Sequence, residues 1–393
     1  MKNIKCIFLL FSIFIIIIFP KNIRALEFPT LHYENAVIYD LTDSKVIYEL
    51  NSKDKISIAS LTKILTTITA IEKINNLDDS VIYTKEMASL VRWDASTAGL
   101  IVGHTYTYRD LLYASILPSG ADATIALAIS LNGSINDFVN EMNILAKSIG
   151  MTFSNFINVT GLDNDNHYST IEDLLKLLKY SLNNNTFKII YTTKEYTLTD
   201  GLNVKSTLYR YSNDDTSRII GSKTGYTLKA LLCMSAYFIS NNEEYLVITA
   251  GTPRDNNYYN IKDILTLIDF IDNNYQKQIL INKGDVIKTI PIKFSSTKEY
   301  NVISNKDITK YLPNDYDKSL VNTEYIELNK INLFTGKNTL IGKVNYYYGS
   351  ELLDSENVYF DITIQSNKII LFLLCFLLIF ILVNIFLLSI WFN

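Results

Sequence analysis

The stretch that opens at Ser60 constrains the fold more than any other part of the chain. After it, Leu61, Ile64, Leu65, Ile68 and Ile71 recur at the spacing of one buried helical stripe. Lys63 stands three residues beyond Ser60, so its amine and the serine hydroxyl project from one face of that helix. A helix N-terminus offers unpaired backbone N–H groups and a partial positive charge, which suit a developing oxyanion. A lysine kept out of water and close to other cations loses its proton more readily and can act as a base toward serine. Ser60 and Lys63 therefore read as nucleophile and base. Spacing alone does not single them out, because Ser52-Lys53-Asp54-Lys55 and Ser295-Ser296-Thr297-Lys298 repeat it. Neither of those opens a periodic apolar helix.

Around this helix the chain divides into four parts. Residues 1–25 read as a secretory signal, with Lys2 and Lys5 ahead of an apolar run over 6–19. Ile23-Arg24-Ala25 is a poor small-x-small cleavage site, which leaves an uncleaved anchor open as the alternative. In the second part, 26–272, two strands are expected at 35–41 and 45–50 around a Thr42-Asp43-Ser44 turn. Helical spacing then runs through 109–117, 121–131, 135–149 and 171–182, with Gly150 as a C-terminal stop. Beyond Gly221 strands return, at 230–238 and 244–251, separated by Asn241-Asn242, and a last helix covers about 261–271. Strands at both ends with helices between imply an α/β (α+β) domain. Its antiparallel sheet is flanked by helices and closed by the N- and C-terminal parts, with a helical subdomain inserted. A groove between two such parts is the expected place for a site.

The third part, 273–367, alternates in the β manner at 286–294, 325–328 and 340–348, and reads as a small all-β, sandwich-like domain with nothing catalytic in it. The fourth, 368–393, is almost wholly apolar from 369 to 392, long enough to span a bilayer core as a helix. It is expected to hold the exported domain at the extracytoplasmic face of the cell membrane. A net charge of −4 gives no support for a nucleic-acid partner. Cys6 and Cys375 fall in the apolar ends, so Cys233 is alone between them and cannot form an internal disulfide. His32, His104 and His167 are scattered without metal-ligand spacing, and neither a metal nor another cofactor is expected.

Two further stretches follow Ser60 in order. Ser119-Gly120-Ala121 forms a turn opening a helix, and Lys223-Thr224-Gly225, followed by Tyr226, starts the returning strands. Ser119 can relay a proton, Lys223 and Thr224 can supply a charge and a hydroxyl to a substrate carboxylate, and Gly225 can leave room for ligand. This order is that of the penicillin-recognising serine enzymes. With its flanks the chain resembles the D-alanyl-D-alanine carboxypeptidases, the low-molecular-weight penicillin-binding proteins. Ala59 to Lys63, Tyr108-Arg109-Asp110-Leu111-Leu112, Phe138-Val139-Asn140-Glu141-Met142-Asn143, Gly161-Leu162-Asp163 and His167-Tyr168-Ser169-Thr170 with Asp173 carry the resemblance over about residues 35–271.

The resemblance implies a transpeptidase/β-lactamase-like fold and a peptidoglycan stem peptide ending in D-Ala-D-Ala as substrate, with β-lactams as covalent inhibitors. It implies that Ser60 attacks the carbonyl between the D-alanines, with Lys63 as base and Ser119 as proton relay. Lys223 and Thr224 would clamp the carboxylate, and the N–H groups of Ser60 and Tyr226 would form the oxyanion hole. The family usually has Asn where this chain has Ala121, and the lost amide implies a working but slow enzyme. An inward-turned Asp122 or an ordered water could compensate. His167 and Asp173 read as structural, and Arg254 as a surface residue that could meet a carboxylate. A membrane-tethered, catalytically weak penicillin-binding or sensor protein is the rival reading. A β-lactamase is another, for which the needed Glu-x-x-Leu-Asn is missing.

Overall fold

Short alternating runs and well-capped apolar helices place the Ser60 segment at the centre of the first of two units. The computed structural model describes residues 28–211, 214–255, 258–364 and 368–391, so the expected signal at 1–25 lies outside the described residues. The first unit ends at Asn273 and the second begins at Asn274. Asn35–Asp40 (β1) and Lys45–Leu50 (β2) form the expected hairpin. The helices are Thr62–Lys73 (α1), Tyr108–Ile116 (α2), Ala121–Asn132 (α3), Ile135–Ser148 (α4), Ile171–Leu182 (α5) and Asn185–Thr192 (α6). Ile219–Thr227 (β3), Leu231–Ser240 (β4) and Glu243–Thr252 (β5) follow, and Tyr259–Asn274 (α7) closes the unit.

The sheet order is β2-β1-β5-β4-β3, antiparallel throughout, so the N-terminal hairpin docks on the last strand of the unit, with Val37 opposite Ile248. Asn241 and Asn242 both have positive φ, 51° and 68°, the conformation a tight hairpin turn requires. The Tyr108-Arg109-Asp110 block is a helix start: Thr107 and Asp110 exchange a reciprocal capping box. Gly150 ends α4 at φ 84°, and Met151 N–H closes back on the Ala146 carbonyl.

One expectation changes. The periodicity after Ser60 predicts a single buried stripe, yet every residue from Thr62 to Ile71 is buried. Helices α2, α3, α4, α5 and α6 all pack against α1, so its threonines face protein as well. Most of their hydroxyls find partners there: Thr67 pairs with Ser115 at 2.7 Å and Thr66 donates to the Val159 carbonyl at 2.9 Å, while the buried Thr69 hydroxyl has none.

The second unit carries three small antiparallel sheets. Tyr275–Ile281 pairs with Ile308–Pro313, and Val286–Pro291 with Glu299–Ile303. Val321–Glu327, Leu340–Tyr348 and Glu351–Tyr359 form the third sheet. Val302, Ile341, Val344, Tyr346 and Phe360 are buried in the core of this unit. Lys368–Trp391 is a 24-residue helix whose side chains are described from 372 to 385, all of them exposed. Among the described residues, no helix is long and apolar enough to cross a membrane.

Gly161 shows how tightly the loop at 158–162 lies against the start of α1. Its φ is +86°, and a Cβ there would fall 1.9 Å from the Ala59 carbonyl oxygen. Gly161→Ala is therefore expected to lower unfolding free energy by roughly 2–4 kcal/mol, read as a drop in the urea midpoint at unchanged slope. A midpoint equal to the native one would show that the loop has room to withdraw.

Candidate active site

Ser60 sits in a 3-10 turn, Ala59–Leu61, that runs directly into α1. Lys63 is only 2% exposed, and its Nζ donates to Ser60 Oγ at 3.0 Å and to the Thr160 carbonyl at 2.7 Å. Burial brings the Lys63 amine down to about 7, against the opposing pull of Asp122. In its neutral form this amine has a lone pair within reach of the serine proton.

The other wall is β3, the edge strand of the sheet, which packs against the Ser60 turn. Alternation along β3 sends Lys223 and Gly225 toward that turn and Thr224 and Tyr226 to the opposite face. Lys223 is fully buried, and its Nζ donates to Ser119 Oγ at 2.9 Å and to the Thr224 carbonyl at 2.6 Å. Burial, with Lys63 nearby, pushes its amine well below the ordinary lysine value. Ser119 holds φ +64°, a costly conformation for a residue with a side chain. Gly120 follows it because a Cβ there would meet the Ala114 carbonyl at 2.6 Å. The Thr224 hydroxyl lies 2.6 Å from that of Thr207. Ser60, Ser119, Thr207, Thr224, Gly225, Tyr226 and Arg254 all line one groove of about 310 Å³.

The same segment of chain decides the family. Residues 22–252 match the D-alanyl-D-alanine carboxypeptidase family. The chain belongs to it. Residues 275–366 match the C-terminal domain of penicillin-binding protein 5. Among curated relatives, the D-alanyl-D-alanine carboxypeptidase DacF of Bacillus subtilis is 27% identical over 70% of this chain and 71% of its own length. A Streptomyces D-alanyl-D-alanine carboxypeptidase is 33% identical over 48% of this chain and 70% of its own. The crystal structure of Haemophilus influenzae penicillin-binding protein 5 shares the fold at a TM-score of 0.62 and 23% identity, covering 87% of this chain and all of that one.

Within this carboxypeptidase frame, two residues make contacts that the sequence does not announce. A Cβ on Gly225 would stand 2.9 Å from the Ser60 nitrogen and 3.1 Å from the Ala59 Cβ. The glycine thus makes room for the backbone of Ser60 as well as lining the groove. Lys223 is fully buried and donates to Ser119, which lines the groove. Arg254 also lines it, and its guanidinium lies 4.3 Å from the centre of the Tyr226 ring.

Ala121 is buried and borders a second cavity of about 260 Å³, also lined by Asn158 and Thr160. Asp122 does not turn inward to replace the missing amide. Its carboxylate accepts the N–H groups of Ala98, Gly99 and Leu100 at 2.8, 2.9 and 3.0 Å. His167 is structural: its Nδ1 accepts from Ile157 N–H and its Nε2 lies 2.8 Å from Thr62 Oγ1, which donates to the Ala59 carbonyl. Burial lowers its imidazole to about 4, so it stays neutral. Asp173 accepts from Phe153 N–H and Ser154 and pairs with Lys176. Glu172 also pairs with Lys176, at 3.2 Å. Of the two decoys, Ser52 donates to Glu49 at 2.8 Å, and Ser295 lies in the second unit.

Thr160 and Thr207 escape a reading of the sequence because neither sits in a spaced motif. Thr160 acts through its carbonyl, and Thr207 meets Thr224 only once the strands have formed. Since the base needs its amine neutral, Ser60 acylation is expected to rise about tenfold per pH unit up to about 7 and level off above. The pH profile of labelling by a fluorescent penicillin measures this, and a flat profile would remove Lys63 from the role.

Proposed function

We propose that this chain is a penicillin-sensitive serine D-alanyl-D-alanine carboxypeptidase that removes the terminal D-alanine from peptidoglycan stem peptides. The observation that carries the reading is the buried Lys63 amine, 3.0 Å from Ser60 Oγ and lowered to about 7. Ser60 Oγ attacks the carbonyl between the D-alanines while its proton passes to Lys63. The oxyanion is met by the N–H groups of Ser60 and Tyr226, at the turn and on the edge strand. Ser119, held by Lys223, relays the proton from Lys63 to the leaving amine as the C–N bond breaks. D-Alanine departs and leaves an ester on Ser60. Water then hydrolyses the ester, releasing a stem shortened by one residue and restoring the serine. Thr224, with Thr207 and Arg254 beside it, receives the substrate carboxylate. A β-lactam enters the same first step and remains as the ester.

The expected result is D-alanine release from a stem-peptide mimic and penicillin labelling that vanishes in Ser60→Ala but survives in Ser52→Ala and Ser295→Ala. Lys63→Ala should slow acylation by roughly 10²- to 10⁴-fold. Labelling without any D-alanine release would favour the binding or sensor reading.

The membrane attachment belongs to the same proposal. It rests on the sequence, where residues 369–392 are almost wholly apolar, since the described part of the helix is by itself not long and apolar enough to cross. Its described side chains, from Phe372 to Ile385, are apolar apart from Asn384, whose amide donates to the Phe380 carbonyl. This supports a catalytic domain tethered at the extracytoplasmic face. A protein ending at Asn367 should leave the membrane fraction once its signal is cleaved. Retention with the first 20 residues still attached would make the N-terminal segment the anchor.

A further inference from the structure

The base of this enzyme lacks its usual amide partner, yet its amine is held. Lys63 Nζ donates to Ser60 Oγ and, at 2.7 Å, to the Thr160 carbonyl. That carbonyl belongs to a loop tied together by one side chain. Asn158 Oδ1 accepts from Thr160 N–H at 3.1 Å, Thr160 Oγ1 at 3.2 Å and Gly161 N–H at 2.7 Å, while its Nδ2 donates to the Leu162 carbonyl at 3.0 Å. A side-chain amide that binds the backbone two and three residues on imposes a tight turn on the segment it spans. This turn aims the Thr160 carbonyl at the lysine.

The loop is also registered against α1. Thr66, one turn beyond Thr62, donates to the Val159 carbonyl at 2.9 Å, and Lys63 takes the next carbonyl, that of Thr160. Gly161 then presses on the Ala59 carbonyl, just before the nucleophile. Positions 62, 63 and 66 share one face of α1, and Ala59 lies just ahead of it in the 3-10 turn, so one end of the helix meets three consecutive loop residues.

We propose that Asn158 is a positioning residue for the catalytic base. By fixing the Thr160 carbonyl it supplies the orientation of Lys63 that an asparagine at position 121 would give, and so offsets part of the loss at Ala121. The inference rests on Ser60 and Lys63 being nucleophile and base. Asn158 and Ala121 line the same cavity of about 260 Å³, so an amide introduced at 121 has space beside the loop.

The test measures the rate of Ser60 labelling by a fluorescent penicillin at about pH 9, above the titration of Lys63, where changed charge at 158 matters least. The panel comprises the native full chain, Asn158→Ala, Asn158→Asp, Ala121→Asn and the double variant Asn158→Ala/Ala121→Asn. Asn158→Ala removes the four neutral hydrogen bonds that hold the loop and is expected to slow labelling roughly 10- to 100-fold. Asn158→Asp keeps the acceptor and should retain most of the rate. Ala121→Asn should accelerate the Asn158→Ala protein by a larger factor than it accelerates the native one, because each amide makes the other less necessary.

Native-rate labelling by Asn158→Ala, or an equal factor from Ala121→Asn in both backgrounds, would overturn the proposal. If Asn158→Ala does not fold, as read by its thermal midpoint, Asn158→Asp and Asn158→Ser carry the test. The expected order is then Asn, Asp, Ser, and equal rates overturn it. A native protein that takes no label fails the catalytic reading itself, which is a different result from any of these.

Discussion

The structure depends on keeping the amine of Lys63 out of water. An ammonium is expensive to bury, so a lysine sealed inside protein sheds its proton at a pH where an exposed one would hold it. Sealing this one requires α1 to be covered on all sides, and five helices pack around it. The nucleophile cannot be covered in the same way, because substrate must reach it. The chain meets both demands by placing Ser60 in a 3-10 turn just ahead of the helix, half-buried at the groove, with Lys63 one turn deeper.

Lys223 repeats the device from the opposite wall. It too is fully buried, and burial together with the nearby Lys63 disfavours its charged form. Two ammonium groups so close are unfavourable, so one positive charge between them is the comfortable state. Lys223 donates to Ser119 and to a main-chain carbonyl, contacts that reward a charged amine. Lys63 has Ser60 and one carbonyl, and in the proposed mechanism it is the amine that acts in its neutral form. The partners are alike in kind, one serine hydroxyl and one carbonyl each, so any division of labour follows from which serine each amine faces, Ser60 for Lys63 and Ser119 for Lys223.

Much of this was legible in the residues. The 3.6-residue period after Ser60, the alternation in β1 and β2, the Asn241-Asn242 turn and the helix end at Gly150 are local effects, and each element formed where its pattern said. The pairing of Ser60 with Lys63 is likewise local, since three residues of helix fix it. What the sequence hides is whatever depends on contact between distant segments. Nothing local says that the threonines of α1 are buried, because a threonine on the polar face of a helix looks the same until a second helix covers it. Nor does anything local say that Lys223 donates to Ser119, a residue far away in the chain. Asn158 had a visible cue, an asparagine three residues before a glycine, but the cue announces a turn and not what the turn holds.

The glycines show why the site comes together as a single object. Gly120, Gly161 and Gly225 lie on three different segments, and at each a Cβ would strike backbone: the Ala114 carbonyl, the Ala59 carbonyl and the Ser60 nitrogen respectively. Two of these contacts converge on the two residues that begin the 3-10 turn. A side chain keeps neighbouring backbones apart, and removing it lets a strand and a loop approach the nucleophile from two directions. That closeness brings the edge strand's Tyr226 and the Thr160 carbonyl to the same short turn. It also explains why Ser119 tolerates φ +64°: the segment before α3 is held by Gly120 N–H on the Ala114 carbonyl and Ala121 N–H on that of Ser96, at 2.9 and 2.7 Å. The surrounding contacts over-determine the strained residue, so its hydroxyl points at Lys223 instead of relaxing away. Catalytic geometry here is set by backbone packing, and the reactive side chains inherit their positions from it.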